Sequence, residues 1–374
     1  ELKQGRSVPP RRHDPGNPPA HGKSKSSSHS SATTSTLTRK ATNSSGGEDA
    51  AGSAPGSSLP PELAESEFVR GVDPELLERI MHEVVDRSPS TGWDDVVGLS
   101  FAKQSVQEAV IWPLRRPDLF SGLRGPAKGL LLFGPPGTGK TMIGRALSAE
   151  AGATFFAISA SSLTSKWIGE SEKMVRALFG CARALQPSIV FIDEIDSLLT
   201  SRSDGEMEAT RRLKTEFLVQ LDGASVDASK NAVIVIGATN RPAELDDAAR
   251  RRLVKRLLIP LPEDLARLGM IQRLLRDQMH VLSEEDLQHI VRATEGYSGA
   301  DMHALCTEAA LGPIRQLTSM GVTSSSQLMG LDASTVPAVA LEHFQSALKQ
   351  VRASVSQADL EGYRVWNEKF GSFG

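Results

Sequence analysis

Eight residues, Gly134-Pro135-Pro136-Gly137-Thr138-Gly139-Lys140-Thr141, constrain this chain more than any others. They match the spacing G-x-x-x-x-G-K-[ST] and stand between the apolar run Gly129–Phe133 and a helix-forming stretch, the context in which that spacing has meaning. Glycines let backbone N–H groups close around anionic oxygens, and the helix N-terminus that follows adds a favourable dipole. The spacing predicts a cradle for nucleotide phosphates built from Gly134, Gly137, Thr138, Gly139 and the first helical residues up to Met142. Lys140 is expected to reach the β- and γ-phosphates of ATP, and the Thr141 hydroxyl to ligate Mg²⁺. The alternative is a glycine-rich turn that holds no nucleotide.

A strand–loop–helix unit of this kind implies neighbours of the same kind. Beyond Trp93, short apolar runs alternate with helical patterns, which predicts an α/β fold with a parallel sheet. The expected strands are residues 129–133, 154–158, 189–193, 233–239 and 256–261. After Pro262 the strands stop and helices follow. Ser283, Ser298 and Ser356 each stand three positions before an aspartate, the capping-box pattern that opens a helix. The expected organisation is an α/β nucleotide-binding domain over residues 93–262 and a helical lid with a C-terminal helix over 263–374. Ahead of them, Asp73-Pro74 opens an amphipathic helix whose apolar positions run from Leu76 to Val85, within a linker of residues 69–92.

Residues 1–68 are expected to form a disordered basic arm. The first 60 contain no Phe, Trp or Tyr, and carry eight Lys/Arg against four Asp/Glu. Such an arm could touch nucleic acid or acidic protein tails, or be a solvated linker. The whole chain, at 374 residues with a net charge of −3, is no basic nucleic-acid coat. Two cysteines give no disulfide framework, and no apolar run is long enough to suggest a membrane span. The start at Glu1, without an apolar leader, suggests a fragment or a processed terminus.

Two further strand ends carry chemistry. Ile189–Ile192 runs into Asp193-Glu194, putting two carboxylates where open parallel sheets hold their ligands. Asp193 is expected to hold Mg²⁺ through water, and Glu194 to orient and deprotonate the attacking water. Asn240 ends the run Val233–Thr239; its amide could bond the γ-phosphate or the water, or simply form a turn.

These residues, together with Ala249-Arg250-Arg251-Arg252-Leu253 and Gly296–Asp301, resemble the AAA+ ATPases, and more narrowly the subgroup of katanin, spastin, fidgetin and the Vps4 ATPase. Gly122–Gly129, Ser159–Trp167, Leu311–Arg315 and Trp366–Gly371 resemble its fidgetin-like branch, and the likeness covers about residues 70–374. It implies a RecA-like P-loop domain, a helical lid and a homo-hexameric ring with ATP sites between subunits. Arg251 and Arg252 match the arginine fingers that reach a neighbour's γ-phosphate, with Arg250 an alternative in the triple; without the likeness they read as a basic helix end. Lys166-Trp167-Ile168 match the first pore loop, where an aromatic grips a threaded peptide; a lone tryptophan otherwise reads as core. Glu206, Glu208, Arg211 and Arg212 fall where a second pore loop is expected, or on a solvated helix face. Val97 and Gly98 correspond to the segment beside adenine, and Gly299 and Ala300 to a lid contact with nucleotide. Ser171 stands where relatives carry Gly, and Leu258 where they carry Tyr.

The implied function is ATP-driven protein remodelling, with recombinase filaments of homologous recombination as substrate and a nuclear location, with the cytoplasm as a second one, expected from the branch. Microtubule severing is the alternative, since Lys166, Arg211 and Arg212 would suit acidic tubulin tails. A third class, a vestigial adaptor, is opposed by intact Lys140, Asp193, Glu194 and Asn240. Recombinase-binding relatives use a Phe-x-x-Ala segment upstream of the ATPase domain, yet residues 1–67 hold no Phe. Phe344-Gln345-Ser346-Ala347 fits that pattern but lies in a periodic helix and reads as core.

Overall fold

The computed structural model describes residues 59–86, 91–120, 124–125, 127, 129–165, 170–200, 208–224, 232–319 and 335–372. Six strands make one sheet: β1 (Val85–Asp86), β2 (Gly129–Phe133), β3 (Thr154–Ser159), β4 (Ser188–Asp193), β5 (Val233–Thr239) and β6 (Lys255–Leu258). Their spatial order is β1-β3-β4-β5-β2-β6. All the pairings are parallel except β1 with β3.

Why the strands read as unbroken apolar runs is visible in where alternate side chains go. Leu130 and Leu132 enter one core cluster while Leu131 and Phe133 enter another, and Ile189/Phe191 against Val190/Ile192 repeat the split. Successive side chains point to opposite faces, and helices cover both, so the central strands β2, β4 and β5 are buried throughout save Asp193 at the end of β4. The first face carries the helices Ser100–Val106 and Lys140–Ala151; the second carries Pro74–Glu83, Ser171–Ala184 and Glu208–Ala224.

The lid has its own apolar centre, which includes Ile271, Ile290, Met302, Leu305 and Phe344. Its helices Glu284–Ala293 and Gly299–Ala310 open with the expected reciprocal caps, Ser283 with Asp286 and Ser298 with Asp301. Each such cap contributes about 1 kcal/mol. Phe344 and Ala347 are buried in this core, as their helical spacing suggests. No helix among the described residues is long and apolar enough to cross a membrane.

Two expectations need correction. The disordered arm does not extend to residue 68: Pro61–Ala64 is helical, and Leu63 and Val69 are buried against the core that holds helix Ser171–Ala184. The aliphatic side chains, few as they are, find a hydrophobic shelf there. Residues 1–58 lie outside the described residues. The amphipathic helix stops at Glu83 rather than reaching Val85, because the open edge of β3 takes up Val85 and Asp86 as a strand. The C-terminal helix Gln357–Phe370, whose packing the sequence does not indicate, lies on the sheet domain. The Trp366 ring meets Phe133 edge-on with centroids 4.4 Å apart.

Candidate nucleotide site

Every element of the site leaves the same edge of the sheet. β2 ends in the glycine loop, β4 in Asp193, β5 in Asn240 and β3 in Ser159, so four carboxyl ends converge on one cleft of about 1020 Å³.

Backbone shape is set first. Gly134 has φ 145°, and a Cβ on it would stand 2.3 Å from the Ile259 carbonyl oxygen. Gly137, at φ 74°, presses on the lid: a Cβ there would lie 2.8 Å from both the Ala300 methyl and the Ser298 hydroxyl. Its carbonyl accepts the Ala300 N–H at 3.1 Å. The lid helix therefore begins directly on the glycine loop, and Gly299 and Ala300 line the cleft as expected.

Lys140 is buried, with its ammonium donating to the Gly134 and Pro135 carbonyls at 3.0 and 2.7 Å. Desolvation pushes its pKa from 10.5 down to about 8, against the opposing pull of the Asp193 carboxylate. The Thr141 hydroxyl donates to Asp193 Oδ2 at 2.7 Å. A hydroxyl and a carboxylate joined at the head of the cradle are hard oxygen donors, the set that suits Mg²⁺ bound with phosphate oxygens.

Glu194 sits in the left-handed region at φ 51°. That costs a non-glycine residue about 1–3 kcal/mol. Its N–H donates to Asp193 Oδ1 at 3.0 Å, and the Ile195 N–H to the Ala238 carbonyl at 3.0 Å, which hold the turn. The carboxylate receives the hydroxyls of Ser159 and Ser161 at 3.3 and 3.4 Å. Among the described residues only Leu99 shares this backbone strain without being glycine, and it too lines the cleft. Asn240 Oδ1 is buried without a hydrogen-bond partner among the described residues. An unpaired buried amide oxygen has a donor still to find.

A family model for the AAA ATPases (ATPase family associated with various cellular activities) matches residues 130–261. Models for an AAA+ lid domain and a Vps4 C-terminal oligomerisation domain match residues 284–328 and 324–371. Fidgetin-like protein 1 of Xenopus laevis is 55% identical over 305 residues, 82% of this chain and 46% of that protein. Spastin of Naegleria gruberi is 50% identical over 314 residues, 84% of this chain and 59% of that protein. The crystal structure of the FIGL-1 AAA domain in complex with ADP is 49% identical, covering 80% of this chain and 98% of its own, with a TM-score of 0.72. The chain belongs to the AAA ATPases. Within them it is of the fidgetin, katanin and spastin type, and it spans about half the length of the curated relatives it matches.

For an AAA ATPase of this type, the structure brings together most of the expected site. Gly137, Thr138, Gly139, Lys140, Thr141, Met142, Asp193, Glu194, Asn240, Gly299, Ala300 and Val97 all line the cleft. Gly134 and Gly98 stand just behind it, and a Cβ on Gly98 would lie 2.7 Å from the Ala266 methyl of the lid. The arginines do not join them. Arg250 bonds the Leu245 carbonyl at 2.9 Å and lies over the Phe370 ring, while Arg252 donates to Asp222 at 2.7 and 3.0 Å. Arg251 is exposed and has no partner among the described residues. Lys166, Trp167, Ile168 and Glu206 lie outside the described residues. Glu208 and Arg212 form an exposed pair on their helix, and Arg211 is exposed.

Several cleft residues carry no sequence signal of their own. Met270, Arg273, Leu274 and His303 reach it from lid helices. Ser159 and Ser161 touch Glu194 across 35 and 33 positions of sequence. Two serines two apart at a strand end mark the local turn, but not what they face.

Proposed function

We propose that this chain is the motor module of an ATP-driven protein remodeller that works as a ring of six copies. The observation that carries the reading is the split between charges: Lys140, Asp193 and Glu194 line one cleft, while Arg251 is exposed and is not among the residues that line it. The oligomerisation-domain match over residues 324–371 supports assembly.

In this reading the glycine-loop N–H groups and Lys140 hold the β- and γ-phosphates. Thr141 and Asp193 would hold Mg²⁺, which supplies neutralisation of phosphate charge. Glu194 accepts a proton from a water whose oxygen attacks the γ-phosphorus; the bond to the β-phosphate oxygen breaks, giving ADP and phosphate. Asn240 donates its amide to the γ-phosphate or that water. Arg251 of one protomer, with Arg252, reaches the γ-phosphate held by the next. Turnover then moves the Trp167 loops along a threaded polypeptide.

The substrate we propose is a recombinase filament on single-stranded DNA, by likeness to fidgetin-like protein 1. Similarity to spastin favours a second reading, severing of microtubules. The test follows labelled recombinase filaments after addition of protein and ATP, with Glu194→Gln as control. Loss of label with wild type alone supports the first reading. Stable filaments under continued hydrolysis, with severed microtubules in parallel, would establish the second.

A further inference from the structure

The C-terminal helix Gln357–Phe370 lies outside the cleft yet is fastened to three parts of the ATPase machinery. Trp366 packs on Phe133, the last residue before the glycine loop. Phe370 lies under the Arg250 guanidinium, 4.8 Å from ring centroid to charge, at the end of the helix that carries Arg251. Just beyond it, Ser372 accepts the Arg256 N–H at 2.9 Å and donates to the Val254 carbonyl at 3.0 Å, which ties the chain end to β6. These contacts leave the helix little freedom to slide. From this platform the Tyr363 hydroxyl donates to the Asn240 carbonyl at 2.6 Å.

That bond falls at a decisive place in the backbone. On the other side of Asn240, Thr239 donates its hydroxyl to Asp196 at 2.5 Å and accepts the Arg241 N–H at 2.8 Å. The peptide that follows Asn240 is thus held at its N–H by the threonine at the strand end and at its carbonyl by a phenol from the C-terminal helix. The side chain between them lines the cleft, its Oδ1 buried and without a partner among the described residues. An amide that must donate to a phosphate or water cannot be aimed by contacts of its own; its direction follows from its backbone. Burial, reinforced by the Asp359 and Asp196 carboxylates, raises the Tyr363 pKa above its ordinary 10, so the phenol keeps its donor proton.

We infer that Tyr363 is a positioning residue for ATP hydrolysis, aiming the Asn240 amide by pinning its carbonyl from the C-terminal helix. This rests on the role given to Asn240 above. Removing one neutral hydrogen bond that orients a reacting group changes a rate by about three- to tenfold.

The test is Tyr363→Phe, which keeps the ring and its packing and deletes the hydroxyl alone. At saturating ATP and saturating protein, plateau turnover is expected to fall about three- to tenfold. Nucleotide Kd, KM and Tm should stay at wild-type values. Made in an Asn240→Ala background and read by single-turnover hydrolysis, Tyr363→Phe should cost nothing further. Full plateau turnover in Tyr363→Phe would overturn the inference, as would an equal loss with and without Asn240. A loss that disappears as protein concentration rises would overturn it too, because the helix would then act through assembly. Wild-type turnover in Asn240→Ala alone would instead remove the role of Asn240. Loss in Asn240→Ala with none in Tyr363→Phe would leave that role standing and remove only Tyr363.

Discussion

Lys140 and Arg251 are both cations expected at the same phosphates, and the fold treats them in opposite ways. Lys140 is 7% exposed and spends its protons on the carbonyls of its own loop. Arg251 stands in water at the end of a short helix, while its neighbours Arg250 and Arg252 are tied to Asp247 and Asp222 of their own chain. In the proposed reading Lys140 serves the protomer's own nucleotide, and that protomer holds it in place. In the same reading Arg251 serves another protomer's nucleotide and has no cis partner among the described residues, so no salt bridge at home would have to be broken first. The contrast also separates Arg251 from Arg252, which the sequence reading pairs as fingers.

The largest expected effect would break the comparison outright. Arg251→Ala should lower turnover by about 10³-fold or more, the scale of an arginine finger. In mixed rings with Lys140→Ala subunits, activity should return, because each variant lacks a different half of the shared site. Arg252→Ala, which also frees Asp222, should lose less. No rescue in mixed rings would place Arg251's action within its own subunit.

Next in size is Glu194→Gln, expected to lose about 10²- to 10⁴-fold in turnover while nucleotide binding persists. Normal turnover would remove Glu194 as the base and leave the cleft a binding site only.

Lys140 makes a pH prediction that Arg251 does not. Its folded pKa is about 8 against an ordinary 10.5, so between these values the unfolded chain holds a proton that the folded protein has released. Stability without nucleotide therefore rises with pH across that window, and the penalty of the buried charge is fully present below it. A phosphate anion favours the protonated ammonium, so nucleotide affinity should fall above pH 8, by up to about tenfold per unit. Calorimetry in buffers of different ionisation enthalpy would detect the matching proton uptake. Flat affinity from pH 7 to 10 with no uptake would show that Lys140 stays charged throughout.

The smallest effect concerns Ser159, whose bond to Glu194 is long. Ser159→Ala should change turnover by about two- to fivefold, with Tm unmoved. A change as large as that of Glu194→Gln would make Ser159 a partner in the chemistry.

Much of the nucleotide cradle was legible in the sequence, for a local reason. A phosphate loop needs glycines at fixed offsets from a lysine and a helix start, so Gly134–Thr141 announces itself within eight residues. The place of Asp193 and Asn240 in the cleft was legible because each ends an apolar run with both faces buried, and open parallel sheets carry their clefts at the carboxyl ends of such strands. The caps at Ser283, Ser298 and Ser356 were legible because reciprocal bonds span three residues. What failed was everything set by a distant surface. Leu63 finds a core, Val85 joins the edge of β3, and Trp366, for which the sequence offers no partner, packs on Phe133, each outcome decided by what another part of the chain exposes.

Sequence by itself therefore determined the α/β class, the capped lid helices and most of the glycine-loop and strand-end residues that line the cleft, since these depend on interactions within a turn or a strand. Tertiary structure alone decided which lid residues close the cleft, which serines face Glu194, which arginine is left facing outward and what holds Asn240. Those are matters of direction across tens to hundreds of residues, as with Tyr363 and Asn240 at 123 positions apart. No local pattern encodes where a side chain will find a partner supplied by a separately folded element.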